Sequence, residues 1–295
     1  MSVNIRQIHP IFVGEVEGVD LRRPITADDA AAIEAGMDRY AVLVFHDQVI
    51  SDEQQLAFSR NFGEIERVTG GHIMKDSERR LSIDMADISN LDKDGQLLAR
   101  DDRRRMFNLG NELWHSDSSY RAVPAKFSLL SARAIPSGGG NTEFADMRAA
   151  YDALDERTKA EIEDLVTEHS LMYSRGTLGF SEFSADERET FKPVRQRLVR
   201  THPASGRKSL FLASHAGAIV GWPIPEARAF LRDLTEHATQ RQFVHAHRWR
   251  QHDLVIWDNR ATMHRARRYD YTQVRDMRRT TIAGSAPTAE QVRAA

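Results

Sequence analysis

The chain has 295 residues, with 41 Lys and Arg against 43 Asp and Glu, so it lacks the basic excess typical of a protein that binds nucleic acid or an anionic membrane. It contains no cysteine, which excludes disulfides, thiolate zinc sites, iron–sulfur clusters and cysteine nucleophiles. No secretory signal pattern opens the chain, and no apolar run approaches the roughly 18 residues of a membrane span. We therefore expect a cytoplasmic protein whose chemistry relies on histidines, carboxylates, serine or tyrosine.

The first third of the chain mixes helix and strand. Thr26, ahead of a run of helix-forming residues, indicates a helix start, and Val42–Phe45 reads as a short buried strand. Ser51 and Gln54 have the spacing of a capping box, and Gly63 is placed to end the helix that follows. The segment near 64–110 is charged and irregular, and we expect a mobile loop there, as well as a flexible tail near 286–295.

Short strands dominate after residue 112. Two helical patterns interrupt them, at about 147–168 and 225–239. The closely spaced strands on either side of residues 250–252 are typical of an antiparallel barrel or a double-sheet sandwich. The predicted strands in this region are 127–132, 198–202, 209–213, 243–249, 253–258 and 276–284.

A candidate metal site begins at Trp114-His115-Ser116-Asp117. In an extended chain, His115 and Asp117 point to the same side and can reach one ion. A third ligand must come from elsewhere, and His264 directly follows a predicted strand. Two imidazoles and one carboxylate form the facial triad of non-haem Fe(II) oxygenases, although the same residues could hold zinc with a water in the fourth position.

Two arginines follow the candidate triad, Arg275 directly before the last predicted strand and Arg279 within it. Arg275 and Arg279 share one face of that strand, with Met277 between them. Arginines that face a core need anions, and a dicarboxylic keto acid on the metal together with an anionic substrate would supply two. The alternative is a solvated strand edge on which Asp270 and Asp276 neutralise both arginines.

Several separated motifs together resemble one enzyme family. WHSDSSY, GGGNTEFADMRAAYDAL, THPASGRKSLF, VIWDNRATMHRARRYD and RDMRRTT are similar to motifs of the Fe(II)/2-oxoglutarate-dependent dioxygenases of the taurine and phenoxyacetate type, and particularly of the 2,4-dichlorophenoxyacetate dioxygenases. The resemblance spans almost the whole chain. It implies a mostly β fold with flanking helices, a double-stranded β-helix or jelly roll, and a single dioxygenase domain over residues 1–295.

The resemblance also implies roles for particular residues. His115, Asp117 and His264 match the iron ligands, and Thr142, Trp257 and Arg275 match contacts to 2-oxoglutarate. Asn111, His202 and Arg279 match positions that bind substrate. Beyond these, His215 is a candidate for lining the pocket, and His72 and Lys75 fall near its expected mouth.

The implied cofactors are Fe(II), 2-oxoglutarate as cosubstrate and O2, with ascorbate stimulating. For an aryloxyalkanoate such as 2,4-dichlorophenoxyacetate, hydroxylation of the ether carbon would release a phenol and glyoxylate, alongside succinate and CO2. The alternative is the same chemistry on an alkanesulfonate or a natural aromatic carboxylic acid. Two alternatives belong to other functional classes: a zinc hydrolase and a catalytically silent jelly-roll binding module. We expect a small anionic aromatic partner, no nucleic acid or membrane, and a homo-oligomer.

Overall fold

The computed structural model of the protein describes residues 3–68 and 79–291, and its strands form several sheets. The strands are β1 (Asn4–Gln7), β2 (Gly14–Glu17), β3 (Val42–Phe45), β4 (Ala86–Asp87), β5 (Phe127–Ala134), β6 (Thr142–Asp146), β7 (Val166–His169), β8 (Val194–Arg197), β9 (Val199–Thr201), β10 (Lys208–Leu210), β11 (Ala216–Ile219), β12 (Val244–His247), β13 (Leu254–Asp258), β14 (Thr262–Ala266) and β15 (Asp276–Thr281). The helices are α1 (Ala27–Tyr40), α2 (Asp52–Ser59), α3 (Arg103–Asn108), α4 (Met147–Asp152), α5 (Glu156–Ile162), α6 (Leu171–Gly176), α7 (Ala185–Thr190) and α8 (Ile224–Ala238).

The largest sheet contains strands from both ends of the chain. Its order is β1-β2-β3-β13-β5-β15-β4, and a smaller antiparallel sheet has the order β12-β6-β14. Phe144 of β6 packs 5.5 Å from Trp257 of β13, in a core that also holds Met277 of β15. The two sheets therefore enclose a common core, and with the covering helices they confirm the predicted jelly roll.

The continuous apolar runs of the large sheet result from burial on both faces. In β3, Val42 and Val44 join the core between the sheets, whereas Leu43 and Phe45 pack with residues of α1 and α2. Side chains alternate along a strand, so a strand covered on both sides needs apolar residues at every position. This explains why Val42–Phe45 could be recognised as a buried strand from its sequence.

Both predicted helix starts are confirmed. The Thr26 hydroxyl caps α1, and Ser51 and Gln54 form a complete capping box at α2. Gly63 ends a short 3-10 turn that follows α2, with a φ of 137° that favours glycine. Among the helices of the described residues, none is both long and apolar enough to cross a bilayer.

The prediction of one helical stretch over 147–168 is wrong. The structure divides it into α4, α5 and the strand β7, because Asp155 caps a new helix after a turn and β7 pairs with β8 and β11. The segment 64–110 is less irregular than predicted, since its described part includes β4 and α3. His72 and Lys75 lie outside the described residues, and the mobility of this segment stays a prediction.

Candidate active site

Two histidines and an aspartate meet beside β14. The backbone of His264 pairs with that of His115 through two hydrogen bonds of 3.0 and 2.8 Å. Asp117 lies two residues further along the extended segment, and its carboxylate is 3.7 Å from Nε2 of His115 and 3.8 Å from Nε2 of His264. Backbone pairing thus brings together the three residues that the sequence predicted as a triad.

The donor atoms of this cluster fit a metal ion. The three ligand atoms lie within 4.8 Å of one another, and all three residues are buried. The carbonyl oxygen of Leu113 accepts a hydrogen bond of 2.7 Å from Nδ1 of His115, which leaves the lone pair on Nε2 beside Asp117. Burial lowers the pKa of His115 and of His264, so both imidazoles are neutral. Two neutral imidazoles and a carboxylate form the ligand set that non-haem Fe(II) oxygenases use.

The carboxylate of Asp117 is ionised and held in place. Burial opposes its ionisation, but the Arg279 guanidinium and the hydrogen bond from Ser128 act against that effect, and the pKa of Asp117 is lowered to about 2. Nη1 of Arg279 donates to Oδ1 at 2.6 Å, and the hydroxyl of Ser128 donates to Oδ2 at 2.7 Å. The negative charge that would bind a cation is therefore present throughout the neutral pH range.

A buried amide directly after β13 supports this carboxylate. The side-chain oxygen of Asn259 accepts hydrogen bonds from the backbone N–H of Asp117 at 3.0 Å and from Nε1 of Trp257 at 3.2 Å. Its amide nitrogen donates to the Ser128 hydroxyl at 3.0 Å. Sequence reasoning missed Ser128 and Asn259. The available signal was a polar residue within, or directly after, an otherwise apolar strand.

Replacing Ser128 by alanine is expected to weaken Fe(II) binding by roughly 10- to 100-fold, because such supporting hydrogen bonds orient a metal-binding carboxylate. Anaerobic titration of the metal-free protein with Fe(II) measures the effect. Ser131→Ala is the matched control, since Ser131 is equally buried in β5 but donates to Gln55 instead. Equal Fe(II) affinity in the two variants would contradict the role of Ser128.

Arg275 is a buried cation without an acidic partner in the part of the chain that the structure describes. It precedes β15 and is 5% exposed, and among the described residues no carboxylate lies within ion-pairing distance of it. Its backbone N–H donates to Asn90, and Nη1 donates to the carbonyl of Ile88 at 3.3 Å. Burial lowers the pKa of Arg275 against the opposing influence of Tyr269 and Tyr271. The small cavity that these residues line, about 50 Å³ in volume, is thus prepared for an anion.

Trp257 packs against the triad, and Thr142 lies on β6, the strand that pairs with β14. The Thr142 hydroxyl, at the start of β6, accepts a hydrogen bond of 3.0 Å from Nε1 of Trp249. The ring of Trp257 is 4.6 Å from that of His264 and is fully buried. Trp257 therefore fixes the position of His264 by packing, and its predicted contact with 2-oxoglutarate stays a prediction, as does that of Thr142.

A larger cavity, about 170 Å³ in volume, opens from the triad. The loop 79–93 and α3 contribute one wall, and residues around α6 contribute the other. Asn111 lines both this cavity and the one beside Arg275. The site residues in its lining are His115, Asp117 and Arg279, together with Asn111 and His215.

The chain matches the Taurine catabolism dioxygenase TauD, TfdA family over residues 4–281. The protein belongs to this family. It is a dioxygenase that uses Fe(II), 2-oxoglutarate and O2. Of the two metals that the triad could hold, iron is therefore the one that this enzyme uses.

Similar proteins cover nearly the whole dioxygenase. An alpha-ketoglutarate-dependent 2,4-dichlorophenoxyacetate dioxygenase of Cupriavidus pinatubonensis is 46% identical, over 97% of this chain and 99% of the relative. An (S)-phenoxypropionate/alpha-ketoglutarate-dioxygenase of Sphingobium herbicidovorans is 40% identical, over 98% and 97%. The solved structure of AAD-2 in complex with Mn(II) and N-oxalylglycine is 63% identical, with a TM-score of 0.95 and coverage of 98% and 100%.

The structure places His202 beside Asp258, and its predicted contact with substrate stays a prediction. His202 is 1% exposed, and its Nε2 lies 2.9 Å from the carboxylate of Asp258. Asp258 also accepts three hydrogen bonds from Arg260, one from the backbone N–H and two from the guanidinium. His202 is not among the described residues that line the cavity of the dioxygenase. Its side chain therefore belongs to a buried network with Asp258 and Arg260, which the sequence alone could not reveal.

His202→Ala is expected to lower the free energy of unfolding by about 1–3 kcal/mol, because it leaves a buried carboxylate with one partner fewer. Chemical denaturation measures this loss. The KM for an acid substrate should stay within about threefold of the wild-type value. A large rise in KM without loss of stability would instead support the predicted contact of His202 with substrate.

Proposed function

We propose that the enzyme hydroxylates the ether carbon of an aryloxyalkanoate such as 2,4-dichlorophenoxyacetate. One oxygen atom of O2 enters the substrate and the other enters succinate, while 2-oxoglutarate loses CO2. The hydroxylated product is a hemiacetal, which collapses to the phenol and glyoxylate. Relatives with this named activity support the substrate class, since they match the dioxygenase over nearly its entire length.

The observation that carries the proposal is the lining of the larger cavity. Arg279 places a cation beside the triad, which suits the carboxylate of the substrate. Phe107, Tyr120 and Phe191 contribute aromatic walls, which suit a chlorinated ring. An anionic aromatic acid matches both parts, whereas a short alkanesulfonate would leave the aromatic walls without a contact.

Different residues of the site bind the metal, the cosubstrate and the substrate. His115, Asp117 and His264 would hold Fe(II), and the metal supplies O2 activation when bound. Arg275 and Thr142 anchor the cosubstrate, and Trp257 keeps His264 in position. Arg279 and Asn111 orient the substrate. This fixed geometry selects the carbon that reacts.

The test is incubation with Fe(II), ascorbate, 2-oxoglutarate and 2,4-dichlorophenoxyacetate, followed by measurement of phenol and succinate. Equal amounts of the two products are expected. A panel of alkanesulfonates and natural aromatic acids is run in parallel. Succinate formed only with a member of that panel would overturn the substrate proposal and leave the dioxygenase class intact.

Three further expectations are part of the proposal. A single domain over residues 1–295 is supported by the large sheet, which joins β1 to β15. A homo-oligomer follows from the family resemblance, and light scattering on the purified protein tests it. A cytoplasmic location is tested by fractionation of the native host. An oligomer would be contradicted by the mass of a monomer.

A further inference from the structure

We propose that Arg175 binds the carboxylate of the acid substrate and so acts as a specificity-determining residue in addition to Arg279. This inference rests on the proposed function, because it names a second contact for the same anionic substrate. Arg175 belongs to α6 and lines the larger cavity together with His115 and Asp117.

The guanidinium of Arg175 is buried, and the described residues supply no counter-ion for it. The residue is 6% exposed, its guanidinium lies 4.5 Å from the centre of the Phe107 ring, and Nη1 donates to the hydroxyl of Ser174 at 3.2 Å. Its Nε is buried without a hydrogen-bond partner among the described residues, and no described carboxylate pairs with it. A buried cation in this state is costly unless an anion joins it.

Two other cations that line the cavity are paired with carboxylates. Arg279 donates to Asp117, and Arg80 is paired with both Asp87 and Asp276. Burial lowers the pKa of Arg175 to about 10, with only Tyr120 opposing the effect. The guanidinium remains charged at neutral pH, so an anion entering the cavity meets a positive charge that no described residue neutralises.

The chain provides a specific space for this guanidinium. Gly110 lies in a 3-10 turn directly before Asn111, and a Cβ atom at Gly110 would be 2.1 Å from the guanidinium carbon of Arg175. The Gly110 backbone does not have a positive φ, so alanine suits the backbone, and the three atoms nearest to its Cβ would all belong to Arg175. Glycine at this position is therefore explained by the need to seat the arginine, not by backbone strain.

The experiment measures equilibrium binding of 2,4-dichlorophenoxyacetate by calorimetry to enzyme loaded with Mn(II) and N-oxalylglycine, which cannot turn over. Arg175→Met is expected to raise the Kd about 100-fold, as expected for loss of a charge-assisted, desolvated contact. Gly110→Ala keeps the charge but displaces the guanidinium, so the Kd should also rise at least about tenfold. For the neutral amide of the same acid, the Kd should rise less than about threefold in both variants.

Arg200→Met is the matched control. The Arg200 guanidinium also lies over a phenylalanine ring, 4.4 Å from the centre of Phe211, and burial also lowers its pKa to about 10. Arg200 is not among the described residues that line the catalytic cavity. Its replacement should change stability and leave the Kd of the acid unchanged.

Two results would overturn the inference. One is an unchanged Kd in a folded Arg175→Met protein that still binds Mn(II), and the other is equal weakening of acid and amide, which would mean that Arg175 only shapes the cavity. If Arg175→Met fails to fold, the Kd values of Gly110→Ala for the acid and the amide test the inference in the same way. Wild-type enzyme that neither binds nor converts the acid would instead overturn the proposed function.

Discussion

Asp117→Ala is expected to lower succinate formation by more than 100-fold and to abolish stoichiometric Fe(II) binding. Asp117 is the acidic member of the triad, so its loss removes the negative charge that attracts the metal. Loss of a ligand should exceed the roughly 10- to 100-fold effect typical of a residue that only supports a ligand. Iron content after anaerobic reconstitution and the rate of succinate release measure the two effects.

Asp253→Ala provides the matched control for this variant. Asp253 is likewise buried and lies within hydrogen-bonding distance of two histidines, 2.6 Å from His46 and 3.0 Å from His247. It is not part of the triad, so its replacement should reduce stability and leave one Fe(II) per chain. Full iron occupancy in Asp117→Ala, or loss of iron in Asp253→Ala, would show that the triad is not the metal site.

The sequence predicted the triad because its geometry is local in part. His115 and Asp117 are two residues apart in extended chain, and the period of a strand is enough to place them on one side. His264 is distant in sequence, and its pairing with His115 is a tertiary contact that no local pattern contains. Before the structure, His264 was a candidate third ligand because it directly follows a predicted strand, and the resemblance to a known family supported that choice.

Residues that act through partners were harder to predict. Ser128 and Asn259 look like ordinary polar residues until the structure places both beside Asp117. For His202, a matching motif could not reveal that Asp258 lies within hydrogen-bonding distance of its ring nitrogen. Arg175 depends on Gly110, and only the tertiary contact between them explains why one is arginine and the other glycine.

The fold was predictable where burial is uniform. Strands such as β13 are apolar at successive positions because both of their faces are covered, and the sequence shows this directly. β7 carries threonine, glutamate and histidine and pairs within a separate three-stranded sheet, so its composition did not distinguish it from the end of the helical pattern before it. Pairing partners, not propensity, determine its conformation.

Arg275→Met is expected to raise the KM for 2-oxoglutarate at least about 100-fold while making the ligand-free protein more stable. The guanidinium is buried, and no described carboxylate pairs with it, so the protein without cosubstrate bears an uncompensated charge. An apolar side chain of similar length removes that penalty and also removes the charge-assisted contact to the distal carboxylate of the cosubstrate. Initial rates at varied 2-oxoglutarate and thermal unfolding of the metal-free protein measure the two effects.

The opposite signs of these effects separate a binding role from a structural one. If Arg275 instead stabilised the fold through its hydrogen bond to Ile88, its replacement would lower the melting temperature along with the activity. Arg279→Met is the control, because Arg279 is already paired with Asp117 and its loss should not stabilise the protein. A lower melting temperature in Arg275→Met, with an unchanged KM for 2-oxoglutarate, would contradict the assignment of this cavity to the cosubstrate.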